Sequence, residues 1–120
     1  MIFDFETFER GVRLAYRKYN IWYEIEDVLH VFRYYFETYE FLFHKAHPLL
    51  KLNQIERIIC TMPCIDDGRG SLDIDPSIYP ELIDQHFATK YNRCDFNINH
   101  FFSGQIRIMR YYDVQNKYYE

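Results

Sequence analysis

Helical periodicity in the first half of the chain is the feature that most constrains the fold. Between residues 20 and 45, apolar residues recur at steps of three and four and leave only a narrow polar stripe. This pattern predicts one long helix, with Asn20 as its N-cap and Pro48 ending it. Because this helix is apolar around much of its girth, we expect it to lie at the centre of the fold or to be covered by a partner.

The same periodicity predicts four more helices. Their expected ranges are 4–19, 50–62, 80–91 and 97–112. Asp4 is a suitable N-cap for the first of them. The residues expected to point inward from the third are Leu52, Ile55, Ile59 and Met62. Gly104 weakens the last helix by about 1 kcal/mol relative to Ala, and the alternating residues 105–112 are also compatible with a short strand or hairpin.

Residues 63–80 interrupt this pattern. The stretch CIDDGRGSLDIDPSIYP is rich in Gly, Pro and Asp, which predicts a loop between helices. A chain of 120 residues suits one domain, whose core can support the fold without metals or disulfides. The sequence therefore predicts a mainly α protein, with residues 1–120 forming a single small domain of about five helices.

Aromatic residues are unusually frequent, with 12 Tyr and 11 Phe. They predict a core built largely from rings, and tyrosine also suits contact surfaces because its edge is polar. The tyrosines expected to contact a partner are Tyr34, Tyr35 and Tyr39.

The net charge of −4 disfavours non-specific binding to nucleic acid. The acidic start MIFDFETFER does not fit a secretory signal, and no apolar run approaches the roughly 18 residues of a membrane span. We therefore expect a cytoplasmic protein that does not bind membranes. Its three cysteines, an odd number, are expected to be reduced.

Thiol and imidazole groups provide one alternative, a metal- or thiol-dependent enzyme. Its candidate zinc ligands are Cys60, Cys64, Cys94 and His100. Their spacing is looser than in zinc motifs, so no metal or other cofactor is expected. The segment CDFNINHFFSG also suits a helix entry, in which Asp95 or Asn97 is the cap.

A basic helix face provides a second alternative, nucleic-acid binding. The residues that would form it are Arg10, Arg13, Arg17, Lys18, Arg107 and Arg110. Glu6 and Glu9 precede Arg10 and Arg13 by four residues, which predicts partial neutralisation of this face.

The segment IDQHFATKYNRCDFNINHFFSGQIRIMRYY carries a resemblance to known proteins. Around Cys94-Asp95-Phe96 and residues 99–104, it resembles small uncharacterised proteins encoded on phages and integrative elements of low-GC Gram-positive bacteria. That resemblance covers about a quarter of the chain. It implies that the protein is encoded on a mobile element but implies no particular activity. Small acidic proteins of such elements often act by binding, including as inhibitors of CRISPR nucleases.

These observations favour a non-enzymatic binding protein of a mobile element. Its expected partner is a protein of the bacterial host or of the element, and the most specific expectation is a nucleic-acid-guided nuclease. The acidic residues expected to imitate phosphates are Asp66, Asp67, Asp73 and Asp75. The aromatic excess and the apolar long helix also predict self-association as a symmetric homodimer.

Overall fold

The fold is mainly α, as the periodicity predicts. A computed structural model describes residues 4–66, 68–103 and 105–119. The α-helices within these ranges are α1 (Phe5–Lys18), α2 (Ile25–Phe43), α3 (Leu52–Thr61), α4 (Tyr79–Ala88), α5 (Ile98–Phe101) and α6 (Ile106–Tyr119), and a 3-10 turn, Pro76–Ile78, precedes α4. Two short strands, β1 (Cys64–Asp66) and β2 (Ser71–Asp73), pair as an antiparallel hairpin.

The helices are arranged around α2. Helix α1 packs against one side of α2 and α4 against another, while α3 packs on α1 and α6 packs on α4 and α5. This order follows from the amphipathic faces, because α2 has the widest buried surface and can serve two neighbours. One core joins all these elements, so the described residues form a single small domain.

Helix α1 matches its prediction closely. The Asp4 carboxylate accepts a hydrogen bond from the Glu6 backbone N–H at 3.1 Å and one from the Thr7 hydroxyl at 2.8 Å. The buried residues of α1 are Phe8, Val12 and Ala15. Gly11 allows α3 to approach, since a Cβ there would lie 3.3 Å from the Ile55 side chain.

The predicted bounds of α2 are wrong at both ends. The helix begins at Ile25 with Glu24 as its cap, because Tyr23 is buried and its hydroxyl donates to the Ile74 carbonyl. This contact holds residues 20–24 in a non-helical connection. Asn20 therefore lies too far from the start of α2 to cap it. The helix ends at Phe43, before Pro48, because His44 takes a left-handed conformation with φ of 56°.

Helix α3 buries a different set of residues from the predicted one. Ile55, Ile59 and Met62 are buried as expected, but Leu52 is 47% exposed and Ile58 is buried instead. The prediction for Leu52 is wrong because α3 begins at this residue, on the rim of the contact with α1.

The hairpin lies inside the predicted loop of residues 63–80. Cys64 pairs with Asp73 and Asp66 with Ser71, and Ile74 extends the ladder by donating to the Pro63 carbonyl at 2.9 Å. The positive φ angles of Gly68 and Gly70 explain why the turn needs glycine. The two glycines of DDGRG are therefore a hairpin signal, which the loop prediction missed.

The C-terminal helix is divided. Residues 97–112 were expected to form one helix, but α5 ends at Phe101 and α6 begins at Ile106. Residues 105–112 belong mainly to α6, so the alternative of a strand or hairpin there is wrong. The predicted cost at Gly104 falls outside the described residues. None of the helices in the described ranges is long and apolar enough to span a bilayer.

Candidate functional site

The tyrosines expected at a contact surface are mostly internal. Tyr35 and Tyr39 are buried, so the prediction that they face a partner is wrong. The Tyr35 hydroxyl donates to the Phe96 carbonyl at 2.7 Å. Tyr34 is half-buried and donates to the Asp84 carboxylate at 2.6 Å; this hydrogen bond, with burial, raises the pKa of Tyr34 to about 12. The Tyr34 hydroxyl thus joins α2 to α4 at the surface, and the Tyr35 hydroxyl joins α2 to the segment that precedes α5.

Arg107 is buried at the junction of α3, β1, α4 and α6. Its guanidinium donates to the Thr61 carbonyl at 2.7 Å, the Cys64 carbonyl at 2.9 Å and the Tyr79 hydroxyl at 2.9 Å. The cation therefore satisfies carbonyl groups at the C-terminus of α3, where the helix dipole favours positive charge. The prediction that Arg107 belongs to a nucleic-acid surface is wrong, because its donors point inward.

Arg110 is buried as well, which removes it from the predicted basic face. It donates to the Tyr91 hydroxyl at 3.1 Å, and its Nε lies 3.1 Å from an Asp113 carboxylate oxygen. The second contact is an ion pair without the alignment of an N–H···O hydrogen bond. Arg110 thus holds the α4–α5 connection against α6.

His86 is a further buried polar residue, and it contacts the same Tyr91 hydroxyl as Arg110. Its Nδ1 lies 2.9 Å from the Tyr91 hydroxyl, and its Nε2 has no hydrogen-bond partner among the described residues. Because Arg110 already donates to Tyr91, the Tyr91 proton can be directed at Nδ1, an arrangement in which the neutral His86 ring has its hydrogen on Nε2. Burial, with His100 and Arg110 nearby, lowers the pKa of His86 to about 3. The ring is therefore neutral near pH 7 and cannot act there as an acid catalyst.

His47 is a second buried, neutral imidazole. Its Nε2 accepts from the Ile98 backbone N–H at 2.9 Å, and its Nδ1 lies 2.8 Å from the Pro48 carbonyl. Burial lowers the pKa of His47. Together with Asn97, whose side chain accepts from the Asn99 N–H at 2.9 Å, it caps the start of α5. The predicted capping role of Asn97 is confirmed.

The basic residues on α1 are exposed but partly neutralised. Arg13 lies 3.7 Å from both Glu9 and Glu26, and Lys18 lies 3.6 Å from Glu56. Arg10 and Arg17 are exposed on the same helix. With Arg107 and Arg110 buried elsewhere, the structure does not bring the six predicted basic residues together.

The predicted thiol and imidazole ligands do not form a metal site either. Cys60 and Cys64 border a pocket of about 250 Å³ beside Trp22, whereas the Cys94 sulfur accepts from the Phe96 N–H at 3.3 Å. His100 lies beside Tyr91. Within the part of the chain that is described, no three His, Cys, Asp or Glu side chains are close enough to hold a metal ion.

The hairpin places two of the predicted acidic residues on one surface. Asp66 and Asp73 are exposed, and their register directs both side chains to the same face of the ladder. Asp75 follows in extended conformation and accepts from the Ser77 N–H at 2.9 Å. Hydrogen bonds from the Ser77 side chain and from this N–H lower the pKa of its carboxyl group. Asp67 lies outside the described residues.

A pocket of about 440 Å³ places Asp75 beside α2. It is lined by Asp27 and His30 from the first turns of α2 and by Asp75 from the segment before α4. We call Asp27, Asp66, Asp73 and Asp75 the acidic face. The sequence prediction missed Asp27 because it started the helix at Asn20; acidic residues at a helix N-terminus are the signal that identifies it.

Comparison with protein-family models, with curated protein sequences and with solved structures finds no match.

Proposed function

We propose that the protein is a non-enzymatic binding module whose acidic face occupies a basic surface of another protein. The pocket lined by both Asp27 and Asp75 carries this proposal, because it joins the Asp27 carboxylate of α2 to the Asp75 carboxylate that follows the hairpin. A surface with several exposed carboxylates attracts basic proteins and accelerates their association.

The spacing of the carboxylates supports a partner that ordinarily binds nucleic acid. Asp73 and Asp75 lie two residues apart in extended chain, a separation of about 6.8 Å. This is about twice the 3.4 Å rise per phosphate along one DNA strand. Carboxylates at that interval match every second phosphate of a strand, and so suit a channel whose cations neutralise nucleic acid.

The partner class follows from the same chemistry. A basic channel that holds nucleic acid is the complement of the acidic face, and a protein seated in it competes with that nucleic acid. The most specific partner that we propose is a nucleic-acid-guided nuclease of the bacterial host. It agrees with the resemblance of the C-terminal segment to proteins of mobile elements.

The test starts from affinity capture with the immobilised protein in a bacterial lysate, with and without nuclease treatment. We expect a basic protein partner that survives nuclease treatment. Once purified, that partner should bind less nucleic acid when our protein is added, and the complex should weaken steeply with salt. Loss of every partner after nuclease treatment would instead indicate nucleic-acid binding and would overturn the proposal.

A matched pair of variants separates the acidic face from net charge. The double variant Asp66→Asn and Asp73→Asn keeps the hydrogen-bond acceptors of the hairpin and should weaken binding about tenfold. The control Glu6→Gln and Glu9→Gln changes net charge equally on α1, where it should have little effect. Equal effects of the two variants would contradict a role for the acidic face.

A further inference from the structure

A pocket of about 300 Å³ lies beside the junction at which Arg107 is buried. The end of α3, strand β1, the end of α5 and the first turn of α6 all contribute to its walls. The residues that line it are Thr61, Cys64, Asp66, Phe102, Arg107 and Ile108. Its volume is at the lower end of the range for small-molecule sites, so it suits a ligand of about the size of one amino acid.

Arg107 brings a positive charge to this pocket that no anion neutralises. The residue is only 5% exposed, and its hydrogen bonds go to uncharged acceptors, which are backbone carbonyls and the Tyr79 hydroxyl. It forms no ion pair with a carboxylate of the described residues. Buried charges in proteins are ordinarily paired, so the missing partner points to an anionic group supplied by a ligand.

The guanidinium also has donors to spare for such a group. It has five N–H groups, and the acceptors described above engage both of those on Nη1 and one of those on Nη2. The N–H of Nε and the second N–H of Nη2 have no acceptor among the residues that the structure describes. Two N–H groups of one guanidinium are the arrangement that binds a carboxylate through parallel hydrogen bonds.

Asp66 brings the opposite charge to the rim of the same pocket. It is exposed, and it follows Cys64 by two residues in β1, so both side chains lie on one face of the strand. Its carboxylate accepts from the Gly68 N–H at 3.0 Å and forms no ion pair with Arg107. A buried cation and an exposed carboxylate therefore border one pocket without neutralising each other.

Phe102 and Ile108 supply the apolar wall. They are 7% and 9% exposed, and the Arg107 guanidinium lies over the Phe102 ring at 5.5 Å from its centroid. The cation is therefore held directly beside apolar surface. A ligand that fills the pocket needs an anionic group, a cationic group and an apolar part, all within a small molecule.

A zwitterion with an apolar side chain meets these requirements. We propose that this pocket binds a free α-amino acid with an apolar side chain, such as leucine or phenylalanine. Its carboxylate pairs with Arg107, its ammonium group pairs with Asp66, and its side chain packs on Phe102 and Ile108. Asp66 also belongs to the acidic face, but this proposal does not depend on a basic protein partner, because such a partner supplies no carboxylate for Arg107.

Isothermal titration calorimetry of the full chain with L-phenylalanine and L-leucine tests the proposal. We expect saturable binding with a dissociation constant on the order of 0.1 mM for at least one of them. For phenylalanine, 3-phenylpropionate lacks the ammonium group and 2-phenylethylamine lacks the carboxylate, so each should bind about tenfold more weakly. Absence of saturable binding by both amino acids up to about 10 mM would overturn the proposal. Equal binding of either analogue would overturn the assigned charge pairs.

A matched pair of variants tests the position of the ligand. Asp66→Asn and Asp73→Asn each remove one charge from the hairpin, but only Asp66 borders this pocket. Asp66→Asn should weaken amino-acid binding about tenfold and leave the binding of 3-phenylpropionate unchanged, since that ligand has no ammonium group. Asp73→Asn should leave both unchanged, and an equal loss in the two variants would contradict the site. Binding of a basic protein to the acidic face is measured with that protein, so failure of one proposal leaves the other standing.

Discussion

The two sides of α2 are held in different ways. Towards α1 and α3, the contact is apolar, with rings and aliphatic side chains inside and ion pairs only at the surface. Towards α4 and α6, the contact encloses His86, Arg107 and Arg110, each bound to hydroxyl or carbonyl groups. Apolar packing tolerates small changes of geometry and pH, whereas buried polar groups depend on all their partners. We call the contact of α2 with α1 and α3 the apolar side, and its contact with α4 and α6 the polar side. Substitution or a change of pH should therefore destabilise the polar side more than the apolar side.

Loss of Arg107 should produce the largest effect. Arg107→Met leaves the Thr61 and Cys64 carbonyls without this donor, and we expect it to lower the free energy of unfolding by about 4 kcal/mol. Urea denaturation measures this. Arg107→Lys keeps the charge but not the planar fork, and should lose about half as much. A loss below about 1 kcal/mol for the Met variant would contradict the importance of this junction.

Lowering the pH should produce the second largest effect, a destabilisation of the polar side. His86 has a pKa of about 3 in the folded chain against 6.5 when unfolded, so only the unfolded chain takes up this proton as the pH falls below 6.5. The resulting loss is about 2 kcal/mol between pH 7 and pH 5, and it continues towards pH 3. His47 acts in the same direction, because its pKa is lowered too.

Urea denaturation at a series of pH values measures this slope. His86→Phe removes the titrating group and should flatten the profile, although it also removes the acceptor of the Tyr91 hydroxyl. If the variant keeps the wild-type slope between pH 7 and pH 5, His86 is not the group responsible.

Among substitutions on the apolar side, loss of the Asp4 cap of α1 should lower the free energy of unfolding most. Asp4→Ala removes the acceptor for the Glu6 N–H and the Thr7 hydroxyl, and should cost about 1 kcal/mol in thermal or urea unfolding. Asp4→Asn keeps an acceptor and should recover most of that loss. A larger effect than that of Arg107→Met would reverse the comparison between the two sides.

The ion pairs on the apolar side should matter least. Arg13 contacts Glu9 and Glu26 at 3.7 Å in exposed positions, where such pairs contribute little. We expect Arg13→Ala to change the free energy of unfolding by less than about 0.5 kcal/mol. The measurement is repeated in high salt, which should abolish the difference; an effect above about 1 kcal/mol would show that the surface charges help hold α1.

The sequence predicted the elements of the apolar side better than those of the polar side. Helix α1, its Asp4 cap and most of the buried residues of α3 follow from periodicity and capping, which are local properties. The late start of α2 depends instead on a contact with a distant residue, because Tyr23 is fixed by Ile74, 51 positions away.

The candidate site shows the same distinction between local properties and contacts with distant residues. Exposed acidic residues at positions 66, 73 and 75 were predicted from their turn-rich surroundings, and the structure places them at the surface. The proximity of Asp75 to Asp27 could not be predicted, since it requires α2 and the segment before α4 to lie side by side. Tyr35 and Tyr39 were assigned to the surface because composition alone does not distinguish a contact tyrosine from a core tyrosine.

The sequence by itself determined a mainly α domain with a ring-rich core, because helix periodicity and side-chain volume act between near neighbours. Only the tertiary structure decided which polar groups are inside. Arg107 and Arg10 are chemically identical side chains on helices, yet one is buried among carbonyl groups and the other is exposed. The difference arises because α6 meets the C-terminal end of α3, whose carbonyl groups need donors that the helix itself cannot supply.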